Sequence, residues 1–270
     1  LSTTSSFFLP ESLCSQPIGA GLLLSILLLI IVAIKLLFLE TVYENDGQMR
    51  KHVQNTLTQQ IEDDIVFGVL SPGARLTEDR IIEQYSVRRH AVRTAFAELK
   101  ARRMLIHEPN RGVEVVAFTP DEVEELYEIR LVLESSAARK TKLPVAKTIS
   151  DQLTEIATAH KNAYQAGDLR GVFHLNKDFH RVQFSCCSNK NLVKLVQEYA
   201  RIVQPIRVMQ YGSGEHMSLV IEQHFAIIDA MKADSQERYV QTAIDHLPVS
   251  AVRAFRKHFE SRHAKQRVVG

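Results

Sequence analysis

Residues 88–103 read RRHAVRTAFAELKARR: six Arg or Lys against a single acid, Glu98. Val92, Ala95, Phe96 and Leu99 recur at helical spacing, so one face of this helix requires a core. The remaining surface carries charge of one sign. A solvated helix face ordinarily mixes signs, whereas aligned Arg and Lys suit a row of phosphates.

The flanking residues say which kind of phosphate. Leu57, Ile61 and Ile65 mark a helix that stops at Gly68, and Ser71-Pro72-Gly73 is a turn. Thr77 is placed to cap a second helix carrying Ile81, Ile82 and Tyr85, and Ser86-Val87 links it to the basic helix. Two short helices joined by a tight turn, the second one basic, make a helix-turn-helix. Met104-Leu105-Ile106 and Val113-Glu114-Val115-Val116 then read as strands around a Glu108-Pro109-Asn110-Arg111-Gly112 turn. Three helices and a hairpin predict a winged helix-turn-helix, with double-stranded DNA as its partner.

Composition bounds the rest. A chain of 270 residues suggests two domains. Hydrophobic content of 45% and charged content of 24% fit an ordinary globular protein. A net charge of +2 excludes a wholly basic coat, so any phosphate-binding surface is local. Cys14, Cys186 and Cys187 form no spaced disulfide framework, and a reducing cytoplasm is expected.

The first 48 residues differ in character from the remainder of the chain. Ile18 to Ile34 is uncharged and mostly Leu and Ile, and the apolar run continues past Lys35 to Leu39. That length could span a bilayer, with Arg50 and Lys51 holding the remainder on the cytoplasmic side. Met49 opens a self-sufficient sequence, and translation is expected to start at or near it. The alternative is an inner-membrane anchor built from residues 18–39, with the DNA-binding domain in the cytoplasm.

The stretch GVLSPGARLTEDRIIEQYSVRRHAVRTAFAELKARRMLIHEPNRGVEVV, residues 68–116, resembles the N-terminal domain of GntR-family transcription regulators. That family joins a G-x-L-x-P-G-x-x-L-x-E opening to a V-S-R-x-x-V-R-x-A-L recognition helix and an N-R-G wing. The resemblance implies DNA contacts from Arg88, Arg89, His90, Arg93 and Thr94 on the helix, and from Arg111 and Gly112 on the wing. Arg93 and Arg89 are the arginines suited to reading guanine through a bidentate fork. This chain departs from the pattern at three places. Arg88 stands where the family has Ser or Thr, losing a cap; His90-Ala91 replaces Thr-Pro; Thr94 replaces Glu, making the helix more basic. Arg102 and Arg103 are read as plain solvent-exposed residues.

After Thr119-Pro120-Asp121-Glu122, a strong helix start, strand signals vanish. Gly167-Asp168, Ser188-Asn189 and Gly212-Ser213-Gly214 punctuate long amphipathic stretches, which predicts an antiparallel helical bundle. The fold class expected is mainly α, divided into an extension (1–48), a winged helix-turn-helix domain (49–118) and an all-α effector and dimerisation domain (119–270). DEVEELYEIRLVLESSAA, HLNKDFHRVQF and IEQHFAIIDAMKADSQERYVQTAIDHL resemble the FCD effector domain of the FadR subgroup within that family.

Asn176 and His180 share a helix face, His224 lies on a second helix and His246 on a third. At the subgroup's spacing these four residues imply a divalent transition metal, Zn, Ni or Mn, with coordination positions left open. Pro248 should end or kink the helix of His246. His160, His174, His216 and His258 fit no such pattern and are read as surface residues. Arg130 pairs with Glu134 four residues on, or else points inward as a clamp for a carboxylate effector; Arg207 is a second clamp candidate. The function expected is a ligand-responsive homodimeric regulator responding to a small carboxylic acid near a metal, and not an enzyme. A metal-dependent hydrolase is the other class these histidines allow.

Overall fold

The computed structural model describes residues 57–108, 112–247 and 249–269, so the apolar segment 18–39 and the start at Met49 lie outside the described residues. Among the described residues no helix is long and apolar enough to cross a membrane.

Helix α1 (residues 57–66) buries Leu57, Ile61 and Ile65, and Gly68 turns the chain with a φ of +75° that favours glycine. Helix α2 (Glu78–Tyr85) starts at Thr77, whose side chain accepts from the Arg80 N–H, and ends at Ser86 in the left-handed region. Helix α3 (Arg89–Ala101) buries the four apolar residues that periodicity selects, Val92, Ala95, Phe96 and Leu99. Burial of Val92, Phe96 and Leu99 contributes about 1.5–3 kcal/mol each.

The wing has one strand more than its apolar runs suggest. β1 (Arg75–Leu76), β2 (Leu105–Glu108) and β3 (Gly112–Val115) form an antiparallel sheet in the order β1-β3-β2. Register pairs Leu76 with Val113 and Leu105 with Val115. Leu76, Leu105 and Val115 join the core of α1–α3.

The bundle comprises α4 (Pro120–Arg139), α5 (Lys147–Gln165), α6 (Leu169–Ser185), α7 (Lys190–Ile202), α8 (Gln204–Val208), α9 (Gly214–Lys232), α10 (Gln236–Asp245) and α11 (Val249–Val269). Its punctuation residues are helix caps. Thr119 and Glu122 form a reciprocal capping box, and Asp168, Asn189 and Ser213 cap α6, α7 and α9 through their side chains. Leu153, Phe179, Ile227, Ile228, Met231 and Tyr239 fill the core shared by α5, α6, α9 and α10. Head and bundle are not separately packed: Val172, Phe173, Tyr211 and Met217 belong to the head's apolar cluster.

Candidate DNA interface and metal centre

The N-terminal half of α3 presents its arginines outward. Arg89 and Arg93 side chains are 52% and 67% exposed, and both are held by α2. Arg89 donates to Glu78 Oε2 at 3.0 Å and to Asp79 Oδ1 at 2.6 Å; Arg93 Nε donates to Glu78 Oε1 at 2.9 Å. Arg93 and Arg89 together hold the Glu78 carboxyl below its usual range. Exposed pairs of this kind are weak, so the forks are prealigned yet available to phosphates or base edges. Arg88 is the N-cap of α3 and its side chain makes no cap hydrogen bond, as expected from the missing Ser or Thr. His90 is exposed, and Thr94 turns its hydroxyl back to the His90 carbonyl at 3.1 Å. Gly112 opens β3 with a φ of +82°, which favours glycine; Arg111 lies outside the described residues.

The other end of α3 corrects the sequence reading at Arg102. Arg102 is two-thirds covered and pairs with Glu62 of α1, whose side chain is fully shielded, and with Glu98 at 3.4 Å. Arg103 is exposed, as the sequence reading has it, while it meets Glu198 of α7 at 3.5 Å and lies over the Tyr199 ring. Both arginines hold the head together or tie it to the bundle.

In the bundle, His180 of α6, His224 of α9 and His246 at the C-cap of α10 meet, their ligand atoms all within 4.8 Å of one another. Helix α10 ends at Asp245 and α11 starts at Val249, so the break falls where Pro248 predicts it. His246 is thereby placed at a helix end. His180 Nδ1 pairs with Gln183 Oε1 at 2.9 Å, and His246 Nδ1 pairs with Gln223 Oε1 at 3.1 Å. With each Nδ1–H given to a glutamine oxygen, the two Nε2 atoms face each other as bare acceptors, 3.1 Å apart. That apposition is unfavourable unless a proton or a cation lies between them. Neither nitrogen of the fully buried His224 has a hydrogen-bond partner among the described residues.

Burial holds these imidazoles neutral. It depresses the pKa of His180 to about 3, helped by the nearby Arg207 charge, and drives His224 and His246 well below their ordinary value. Neutral imidazoles keep the lone pairs that a divalent ion needs, so the donor set fits a transition metal.

A cavity of about 150 Å³ opens beside the cluster and includes His180 and Asn176 in its wall. Asn176 Oδ1 accepts from Arg207 Nη2 at 3.1 Å. Arg130 and Glu134 form a buried pair, with Nε and Nη2 of Arg130 at 3.0 and 2.8 Å from Glu134 Oε1. The intrahelical pair and the inward orientation therefore coexist: Arg130 also lines the cavity, its guanidinium lying over the Tyr127 ring. Lys177, Arg181 and Arg201 add positive charge to the lining, against the one acid Glu134.

Of the histidines set aside as surface residues, His258 is exposed, whereas His174 and His216 are half-buried. His160 is a correction. It is 1% exposed, because it continues the buried face of α5 after Leu153 and Ala157, and it packs edge-on against His224. That i, i+4, i+7 spacing was the signal for it. The partners Gln183 and Gln223 were also missed. Gln183 stands three residues after His180 on one helix, whereas Gln223 serves His246 across two helices, which spacing does not reveal.

A winged helix-turn-helix carrying a helical bundle with a buried polar cavity defines a DNA-binding regulator with an attached sensor. Residues 53–115 match the family described as bacterial regulatory proteins, gntR family, and residues 125–248 match the FCD domain. The chain belongs to the GntR family of transcription regulators, with an FCD effector-binding domain, and is not an enzyme. It is 22% identical over 191 residues to the HTH-type transcriptional regulator YdhC of Bacillus subtilis, covering 69% of this chain and 84% of that one. It is also 22% identical to the HTH-type transcriptional repressor RspR of Escherichia coli, covering 68% of this chain and 81% of that one. Among solved structures, McbR/YncC of E. coli has the same fold with a TM-score of 0.65 and 18% identity, over 76% of this chain and 98% of that one. A GntR transcriptional regulator of Rhodococcus sp. RHA1 superposes with a TM-score of 0.62 and 24% identity, over 75% and 97% of the two chains.

Proposed function

We propose that this protein is a cytoplasmic, homodimeric, metal-dependent regulator whose operator affinity is set by a small carboxylate bound in the cavity beside His180. The observation that carries the reading is the convergence of three neutral imidazoles next to a cavity lined by Arg130 and Arg207. His180, His224 and His246 hold the metal, with Asn176 at the boundary between metal and cavity. When bound, a Zn, Ni or Mn ion supplies a Lewis-acidic point for one carboxylate oxygen. The Arg130 guanidinium donates to the other oxygen, and Arg207, fixed by Asn176, adds positive charge; the closed walls strengthen both effects. Asn176 brings no charge of its own, so the imidazoles carry the affinity. A dimer supplies two recognition helices for a two-fold symmetric operator. The exposed Ile129, Leu131 and Val132 on α4 offer apolar surface for that association.

Purified protein should carry about one transition metal per chain, and His224→Ala should empty the site and lower the melting temperature. His216→Ala is the control and should leave metal content intact. Calorimetry with a panel of small carboxylates, on stripped and zinc-reloaded protein, should show binding only to the loaded form. Full metal content in His224→Ala would refute the metal centre. Carboxylate binding to stripped protein would leave the arginines alone as the anion site. Arg93→Ala, followed by fluorescence anisotropy on the native promoter, should weaken operator binding about tenfold to a hundredfold and relax base preference.

A further inference from the structure

Metal-ligating histidines almost always give their second ring N–H to an acceptor, which fixes the tautomer and the ring plane. Two members of the cluster already have one: Gln183 Oε1 for His180 and Gln223 Oε1 for His246. His224 has none. Its ring is stacked on Phe179 at 4.1 Å between centroids, so that face supplies no acceptor. Against it, at 4.9 Å and an interplanar angle of 63°, lies His160. His160 is itself buried, and its Nδ1 lacks a hydrogen-bond partner among the described residues. Two adjacent buried imidazoles thus carry unused nitrogens, and burying such groups without partners is costly. The centroid separation is short enough for an N–H···N bond once the rings turn nitrogen to nitrogen.

Resting on the metal reading above, we infer that His160 is the positioning residue of His224, its Nδ1 accepting the His224 N–H so that the opposite His224 nitrogen faces the metal. The centre is then held by three imidazoles, each with its own outer acceptor: two glutamines and a fourth histidine from α5. Helix α5 becomes part of the metal site without supplying a ligand.

The test compares zinc affinity and His224 spectroscopy in full-length protein. His160→Phe fills the space without an acceptor and should weaken zinc binding about tenfold to a hundredfold. His160→Gln restores a carbonyl acceptor and should bind zinc nearly as tightly as wild type. Long-range proton–nitrogen spectra of zinc-loaded wild type should show a His224 N–H hydrogen-bonded to an imidazole nitrogen. That signal should vanish in His160→Phe. Unchanged affinity in His160→Phe overturns the inference, as does equal weakening in both variants, which would mean packing alone. If neither variant folds, absence of the nitrogen-to-nitrogen hydrogen bond in wild type overturns it independently. Wild type that takes up no zinc overturns the metal reading and this assignment together, an outcome distinct from the others.

Discussion

Arg102 closes the recognition helix and reaches back to Glu62, the carboxylate that α1 buries between head and bundle. Lys177 of α6 approaches the other oxygen of Glu62 at 3.7 Å. Removing one partner of a fully buried pair costs roughly 3–5 kcal/mol. Here Lys177 remains and Arg102 is one-third exposed, so Arg102→Ala should destabilise the fold by about 2 kcal/mol, read by urea denaturation. Base preference should stay unchanged, because Arg102 sits at the far end of α3 from Arg89 and Arg93. A melt identical to wild type would show that Glu62 is satisfied without it. Sequence alone placed Arg102 in solvent for a physical reason: its partner is forty residues away, and periodicity reports which face is apolar but not which acid lies beneath it. His160 is the opposite case, since its position on the buried face of α5 was readable but its polarity argued against burial.

At the scale of elements, the helices were legible because their starts are chemical. Thr77, Thr119, Asp168, Asn189 and Ser213 all cap through their side chains. β1 was not legible. Two residues show no alternation, and the strand exists only because β3 pairs with it. Helix α3, like α5 and α8, starts without a side-chain cap, and Arg88 in addition places a cation at the positive end of the helix dipole. Arg88→Ser should therefore stabilise the protein by about 1 kcal/mol in chemical denaturation. The same change should weaken DNA binding and flatten its salt dependence, because one phosphate-facing charge is lost. Such opposite movements would mark Arg88 as a residue that favours DNA at the expense of the helix. A variant no more stable than wild type would show that the first-turn N–H groups of α3 are already satisfied.

Across the whole molecule, helix α6 connects the two halves. Asn176 and His180 face the cavity and the histidine cluster, while Arg170, His174 and Lys177, spaced i, i+4 and i+7, face the acids of α1. Arg170 meets Asp63 at 3.6 Å and Asp64 at 3.4 Å, and His174 meets Asp63 at 3.2 Å. Those acids also grip the DNA-reading helices: Tyr85 of α2 donates to Asp64 at 2.7 Å, and Arg102 of α3 binds Glu62. Were α6 to shift when the proposed metal binds, α2 and α3 would feel it through α1. Rigid helices and packed ion pairs can carry such coupling, and altering one link typically changes it by about 0.5–2 kcal/mol. Arg170 does not line the cavity, so Arg170→Ala should leave zinc affinity as in wild type. It should shrink the difference in operator affinity between stripped and zinc-loaded protein by roughly that 0.5–2 kcal/mol. Asp63→Ala should reduce the same difference, and the double variant should fall short of the sum of the two, because the Arg170–Asp63 contact is common to both while Arg170–Asp64 and His174–Asp63 are not. Anisotropy titrations of the four proteins, each stripped and reloaded, give the cycle. A zinc-dependent shift that survives intact in Arg170→Ala would mean that the signal leaves the bundle elsewhere, through the Arg103–Glu198 contact of α3 with α7.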